Sequence, residues 1–145
     1  AVQSFESGNT AIGTSWQVIV NLINGGKKAN VGAVVPSEGA TGWSDTWMIS
    51  SKAQHPNCMY MWMDHIVSAS ANAQVAEWFG EAPSQTLACD QTSDKAFCDT
   101  YHATDAEYAS KIHYWTTPTA DCLDGRGSIC KDYAAWTQAW TDIKG

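Results

Sequence analysis

The sequence predicts an α/β fold, and three observations carry that prediction. Short runs rich in β-branched and aromatic residues alternate with stretches whose apolar residues recur every three or four positions. Glycine, proline and asparagine fall between these runs, where turns are needed. Apolar residues make up 44% of the 145 and charged residues 16%, which suits a chain with a buried core and not a disordered one. The length suits one domain with a real core better than two.

Taken in order, residues 2–16 read as a helix end, a turn at Gly8-Asn9 and a short apolar strand over 11–14. From Ser15 the period becomes helical, with Val18, Ile19, Leu22 and Ile23 on one face and Gly25-Gly26 as the expected stop. Residues 31–35 are β-branched enough for a strand, PSEGATG forms a loop, and 43–50 alternate into a further strand. Pro56 opens a helix whose Met59, Trp62, Met63, Ile66 and Val67 make an amphipathic stripe. Ser68 or Ser70 caps a second helix that ends at Gly80. Residues 84–100 read as a polar loop, 105–113 as a helix and 116–130 as a turn-rich loop. The last helix, 131–143, presents Tyr133, Trp136 and Trp140 at spacings of three and four.

The net charge of −7 argues against nucleic-acid binding, which needs clustered Lys and Arg, and suits a protein that meets cations. No run is long and apolar enough to span a membrane. The chain begins at Ala1 and not at Met, so it is expected to derive from a longer or signal-bearing precursor. Five cysteines are many for this length. Cys89 and Cys98 flank one polar stretch and Cys122 and Cys130 another, spacings that favour disulfide loops in an oxidising compartment over a zinc site. Cys58 is left over.

No nucleophile elbow, zinc-protease helix or phosphate loop occurs, and the carboxylates are scattered, so no catalytic residue, metal or cofactor is expected. Asp64-His65 beside an apolar stripe reads as surface. Eight Trp residues are the compositional oddity. Trp16 stands where the expected strand over 11–14 turns into a helix, a strand-end junction of the kind where α/β sheets bind ligands. Trp43 and Asp45 bracket the entry to an expected strand, two residues apart and hence on one face. A Trp face beside a carboxylate is what an alkylammonium group requires. A hydrophobic-strand role for Trp43, with Asp45 solvated, is the plainer alternative.

The run from Gly13 to Trp16 (GTSW), the run from Val34 to Asp45 (VVPSEGATGWSD) and the later AQVAEWFGEAPS resemble the spermidine/putrescine-binding proteins of bacterial ABC importers. These are family 1 extracellular solute-binding proteins with a type II periplasmic-binding fold. The closing YWTTP and KDYAAWTQAWTDI, with the cysteines between them, look like the C-terminal extension of a subset of that family. The resemblance implies the C-terminal portion of a bilobal α/β protein that binds a polyamine-like cation without catalysing a reaction. Residues 1–44 would belong to its second lobe, 45–92 to the first, and 93–145 to the second with the extension. Carried over by position, Trp16 and Trp43 match pocket tryptophans, Asp45 matches the carboxylate that grips an amine, and Trp115 falls near another pocket contributor. Glu81 stands where the family places a pocket Tyr, a departure that still favours a cation. The implied partners are the membrane permease of the importer and either the missing N-terminal half or a swapped second copy. Periplasmic or extracellular location follows, either free or lipid-anchored. The same fold could hold a sugar, an organic anion or a metal chelate. A small secreted carbohydrate-active module, folding alone as a monomer, is the reading from another class.

Overall fold

Each helix can be traced to a local cause. A computed structural model describes residues 1–145. Helix α1 covers Val2–Glu6, and α2 covers Gln17–Gly26. The stripe on α2 buries Ile23 to 1% exposure. Gly25 and Gly26 do not stop it. They lie inside the helix, which ends at Lys27 in the left-handed region, φ 56°, with its N–H donating to Asn24 O. Asn24 then binds Val31 twice through its side-chain amide, at 2.9 Å each.

Pro56 occupies the first turn of α3 (Pro56–Ile66), where its missing N–H costs nothing. Helix α4 (Ala69–Phe79) starts after Ser68, which stands at the N-cap in extended backbone without a side-chain capping bond, and ends on Gly80 at φ 84°. It packs closely on a 3₁₀ turn, Thr86–Gln91, because Ala73, Ala76 and Ala88 are small enough to be almost fully buried. Short helices α5 (Phe97–Thr100) and α6 (Ala106–Ser110) follow. Phe97 and Cys98 complete a small core with Ala76, and Cys89 and Tyr101 pack against it.

The cysteine spacing was informative. Cys89–Cys98 and Cys122–Cys130 are both disulfides, with Cα separations of 5.8 and 5.3 Å, and Cys58 is a free, exposed thiol. They assign the chain to an oxidising compartment, outside the cytosol. No helix is long and apolar enough to cross a membrane. Closing so short a loop stabilises by about 2–3 kcal/mol in the chain-entropy account. Replacing Cys89 and Cys98 together by Ser should therefore cost at least about 2–3 kcal/mol in urea unfolding, because the bridge also packs on the Phe97 core.

The strands differ most from expectation. Residues 11–14, 31–35 and 43–50 form turns or extended chain but no strand. Ile12, Val34 and Met48 are 92%, 88% and 86% exposed. Alternating or β-branched sequence describes a surface suited to pairing, and without a neighbouring ladder no strand forms. The strands that exist are β1 (Ala40–Gly42) and β2 (Ile112–Tyr114), a parallel pair. The helix expected over 105–113 accordingly stops at Ser110. Ala40 N–H donates to Lys111 O at 2.9 Å and Trp115 N–H to Gly42 O at 3.1 Å.

The chain packs as two compact units. The first comprises residues 1–40 and 45–112, and the second 41–44 and 113–145. The second contains α7 (Tyr133–Lys144), whose N-cap Asp132 accepts from Ala135 N–H at 2.9 Å. Its Tyr133, Trp136, Trp140 and Ile143 are all exposed. The accessible surface is 11333 Å². A closed globule of this mass would expose about 7,300 Å², and two separate globules of the two units' sizes about 8,500 Å². The excess is large and includes many apolar side chains, Trp78 at 87% among them.

Candidate functional site

In the first unit, the beginning of α2 is held against the end of α4. Trp16 is the N-cap of α2, in extended backbone, and its carbonyl accepts from Ile19 and Val20 N–H at 3.0 and 3.3 Å. The residue is 57% exposed. The junction is coil to helix, since no strand precedes it. Two residues on, the Val18 side chain lies so close to Gly80 that a Cβ there would stand 2.5 Å from Val18 Cγ2. The same added atom would be 3.2 Å from Tyr101 Oη. Behind this contact runs a polar chain. Gln17 Nε2 donates to Asn21 Oδ1 at 2.9 Å, and Asn21 Nδ2 donates to Tyr101 Oη at 3.1 Å.

Glu81 follows Gly80 directly, and its backbone N–H donates to Ala76 O at 3.2 Å. The carboxyl is partly buried, and that burial raises its pKa above the ordinary value of 4.5. The negative charge of Asp45 raises it further. The charge of Asp45 thus reaches Glu81 at the end of α4, close to the helix start that carries Trp16. Chemically, such a pair favours an arriving cation, which relieves the repulsion and replaces lost hydration.

The proposed sharing of one strand face by Trp43 and Asp45 does not hold, because residues 43–50 form no strand. Asp45 belongs to the first unit and Trp43 to the second. Within the second unit the parallel register is informative. The Gly42–Trp115 bond makes Trp43 and Trp115 the next pair beyond the ends of β1 and β2. They are 55% and 68% exposed.

Sequence reasoning missed two features. The Gln17–Asn21–Tyr101 chain joins residues 80 positions apart in sequence, and no local signal announces it. Trp47 and Trp62 meet edge to face at 5.6 Å, with His65 tilted 6.0 Å from Trp62. The helical spacing of Trp62 and His65 was visible, but their pairing with Trp47 was not. No protein-family model matches this chain.

Proposed function

We propose that this chain is part of the substrate-binding component of an ABC importer, capturing a polyamine-like organic cation and catalysing no reaction. The observation that carries the proposal is the acid pair Glu81 and Asp45, whose mutual repulsion falls on a partly buried carboxyl beside the Trp16 helix start. In this account one ammonium end binds the two carboxylates, and the Trp16 face takes the adjoining methylenes and charge. Trp43 and Trp115 enter by the family resemblance alone, as do the two-lobed architecture and its division at residues 44 and 92. The export implied by two disulfides agrees with a periplasmic or extracellular protein, free or lipid-anchored.

The unpaired β-type segments 31–35 and 43–50 and the excess apolar surface support a second part of the proposal. The fold is completed by further polypeptide, either an N-terminal half of the same protein or a swapped second copy. The loaded protein then delivers its cation to a membrane permease.

A thermal-shift panel on the intact protein that carries this chain tests the ligand class. Spermidine and putrescine should raise Tm in a saturable way, while glucose and glutamate leave it unchanged. An equal shift by glucose would move the assignment to a sugar carrier.

The pH dependence has a definite sign. The fold raises the Glu81 pKa, so the neutral form is favoured in the folded state. Its contribution to stability is fully present below the ordinary carboxyl value of 4.5, and is lost as pH rises through the raised value. Cation affinity runs the opposite way, rising as pH rises through the same window. Glu81→Gln should flatten both dependences there, which parallel urea unfolding and binding series from pH 4 upward would show.

A further inference from the structure

The second unit holds a cleft of about 420 Å³, within the size range of small-ligand sites, and it is unrelated to the acid pair. It is lined by the loop closed by Cys122–Cys130 and by Trp136 in the first turn of α7. Leu123 and Ile129 supply apolar surface, and Arg126 and Lys131 supply positive charge. Arg126 is the only arginine in a chain of net charge −7.

The loop is built to hold its shape. Besides the disulfide, Cys122 N–H donates to Gly127 O at 2.8 Å, and Thr119 Oγ1 donates to Asp121 O at 2.5 Å. Ser128 Oγ bonds the Asp121 carboxylate. Gly127, at φ 77°, makes the turn that allows the first of these bonds.

Asp124 is committed to Arg126. Its Oδ2 accepts from Arg126 Nε at 2.7 Å, and its Oδ1 from the Arg126 backbone N–H at 3.3 Å. The backbone N–H chiefly, and the guanidinium with it, hold the Asp124 carboxyl below its ordinary range. With Nε engaged, the guanidinium is turned so that Nη2 lies 3.9 Å from Cys130 Sγ on the cleft wall. The Nη edge, with Lys131 on the same cleft, is the positive end of the site. A guanidinium edge matches a planar carboxylate with two parallel N–H bonds, and an indole face with aliphatic neighbours suits a flat or apolar body.

We propose that this cleft binds small organic acids that join one carboxylate to an aromatic or apolar body, as a site separate from the cation site. Arg126 and Lys131 hold the carboxylate, Trp136 packs on the body, and Asp124 is a positioning residue for the guanidinium. One arginine and one lysine serve a single carboxylate without making the protein as a whole a binder of anions.

The test is an NMR titration of the intact protein, following the Arg126 Nε–H and Trp136 indole N–H signals. The probes are phenylacetate, phenethylamine and benzyl alcohol, which share a ring and differ in charge. Phenylacetate should shift both signals in a saturable way, and the other two should not. Arg126→Gln should weaken phenylacetate at least 10-fold, as expected for loss of a charged hydrogen-bond pair. Arg126→Lys, which keeps the charge, should weaken it less. Asp124→Asn should weaken it by about 3-fold while shifting the Arg126 Nε signal without ligand, a change that a merely structural loop residue would not cause. Arg126 is exposed along most of its side chain, so these variants keep the fold, and unchanged amide spectra verify that. Equal shifts from phenethylamine, an unaltered affinity in Arg126→Gln, or no saturable response to phenylacetate would each overturn the proposal.

Discussion

Replacing Gly80 by alanine is expected to destabilise the protein by about 2–5 kcal/mol, the largest single-site loss predicted. Two costs coincide. The residue sits at φ 84°, where a Cβ is strained by about 1–2 kcal/mol. The new atom would also meet Val18 Cγ2 at 2.5 Å, and relieving that overlap costs about 1–3 kcal/mol more. Val18 belongs to α2, so the strain falls on the contact that sets Trp16 near Glu81. Urea unfolding gives the loss directly. Gly32→Ala is the control, since Gly32 has no atom within 4 Å of an added Cβ, and it should be neutral within about 0.5 kcal/mol.

Asp45→Asn is expected to weaken spermidine by about 10- to 100-fold, the worth of a charge-assisted hydrogen bond to an ammonium group. The substitution keeps the size and removes the charge. It should also move the Glu81 pKa part of the way back toward 4.5, because the like charge is gone while burial remains. Carbon-detected NMR of the Glu81 carboxyl reads that second effect without ligand. If the Glu81 pKa falls and spermidine affinity does not, the acid pair is real but is not the site. Trp16→Ala should cost about 3- to 30-fold, the range of a cation–π contact.

Much of the helical framework was legible in the sequence. Ser68 before an alanine-rich run and Gly80 after it bounded α4, and Pro56 marked the start of α3, because capping and punctuation are local. Both disulfides followed from spacing. The end of α2 did not, since a lysine took the left-handed position that Gly25 and Gly26 were expected to fill. Strands were the least legible. The β-branched run 31–35 stays single, while the unremarkable Ala40–Gly42 pairs with Ile112–Tyr114 some seventy residues away. A strand is decided by its partner, and a one-dimensional pattern does not name partners.

The residues of the candidate site were singled out by type or, for Glu81, through the resemblance alone, and their arrangement was not legible. Trp16, Asp45 and Glu81 were all singled out, but what relates them is the approach of Val18 to Gly80 and the charge of Asp45 acting on Glu81. The same lesson holds for the disulfide loop, where no local signal announces that Asp124, Arg126, Cys130 and Trp136 line one cleft.

The central claim is that Glu81 and Asp45 receive an organic cation. Isothermal titration calorimetry of spermidine into the intact protein, in two buffers of different ionisation enthalpy, tests it most directly. At a pH where Glu81 is partly protonated, binding should expel its proton, so the apparent enthalpy should differ between the buffers. That difference should vanish in Glu81→Gln. Saturable binding with the same enthalpy in both buffers, or no binding by spermidine where glucose binds, would contradict the account.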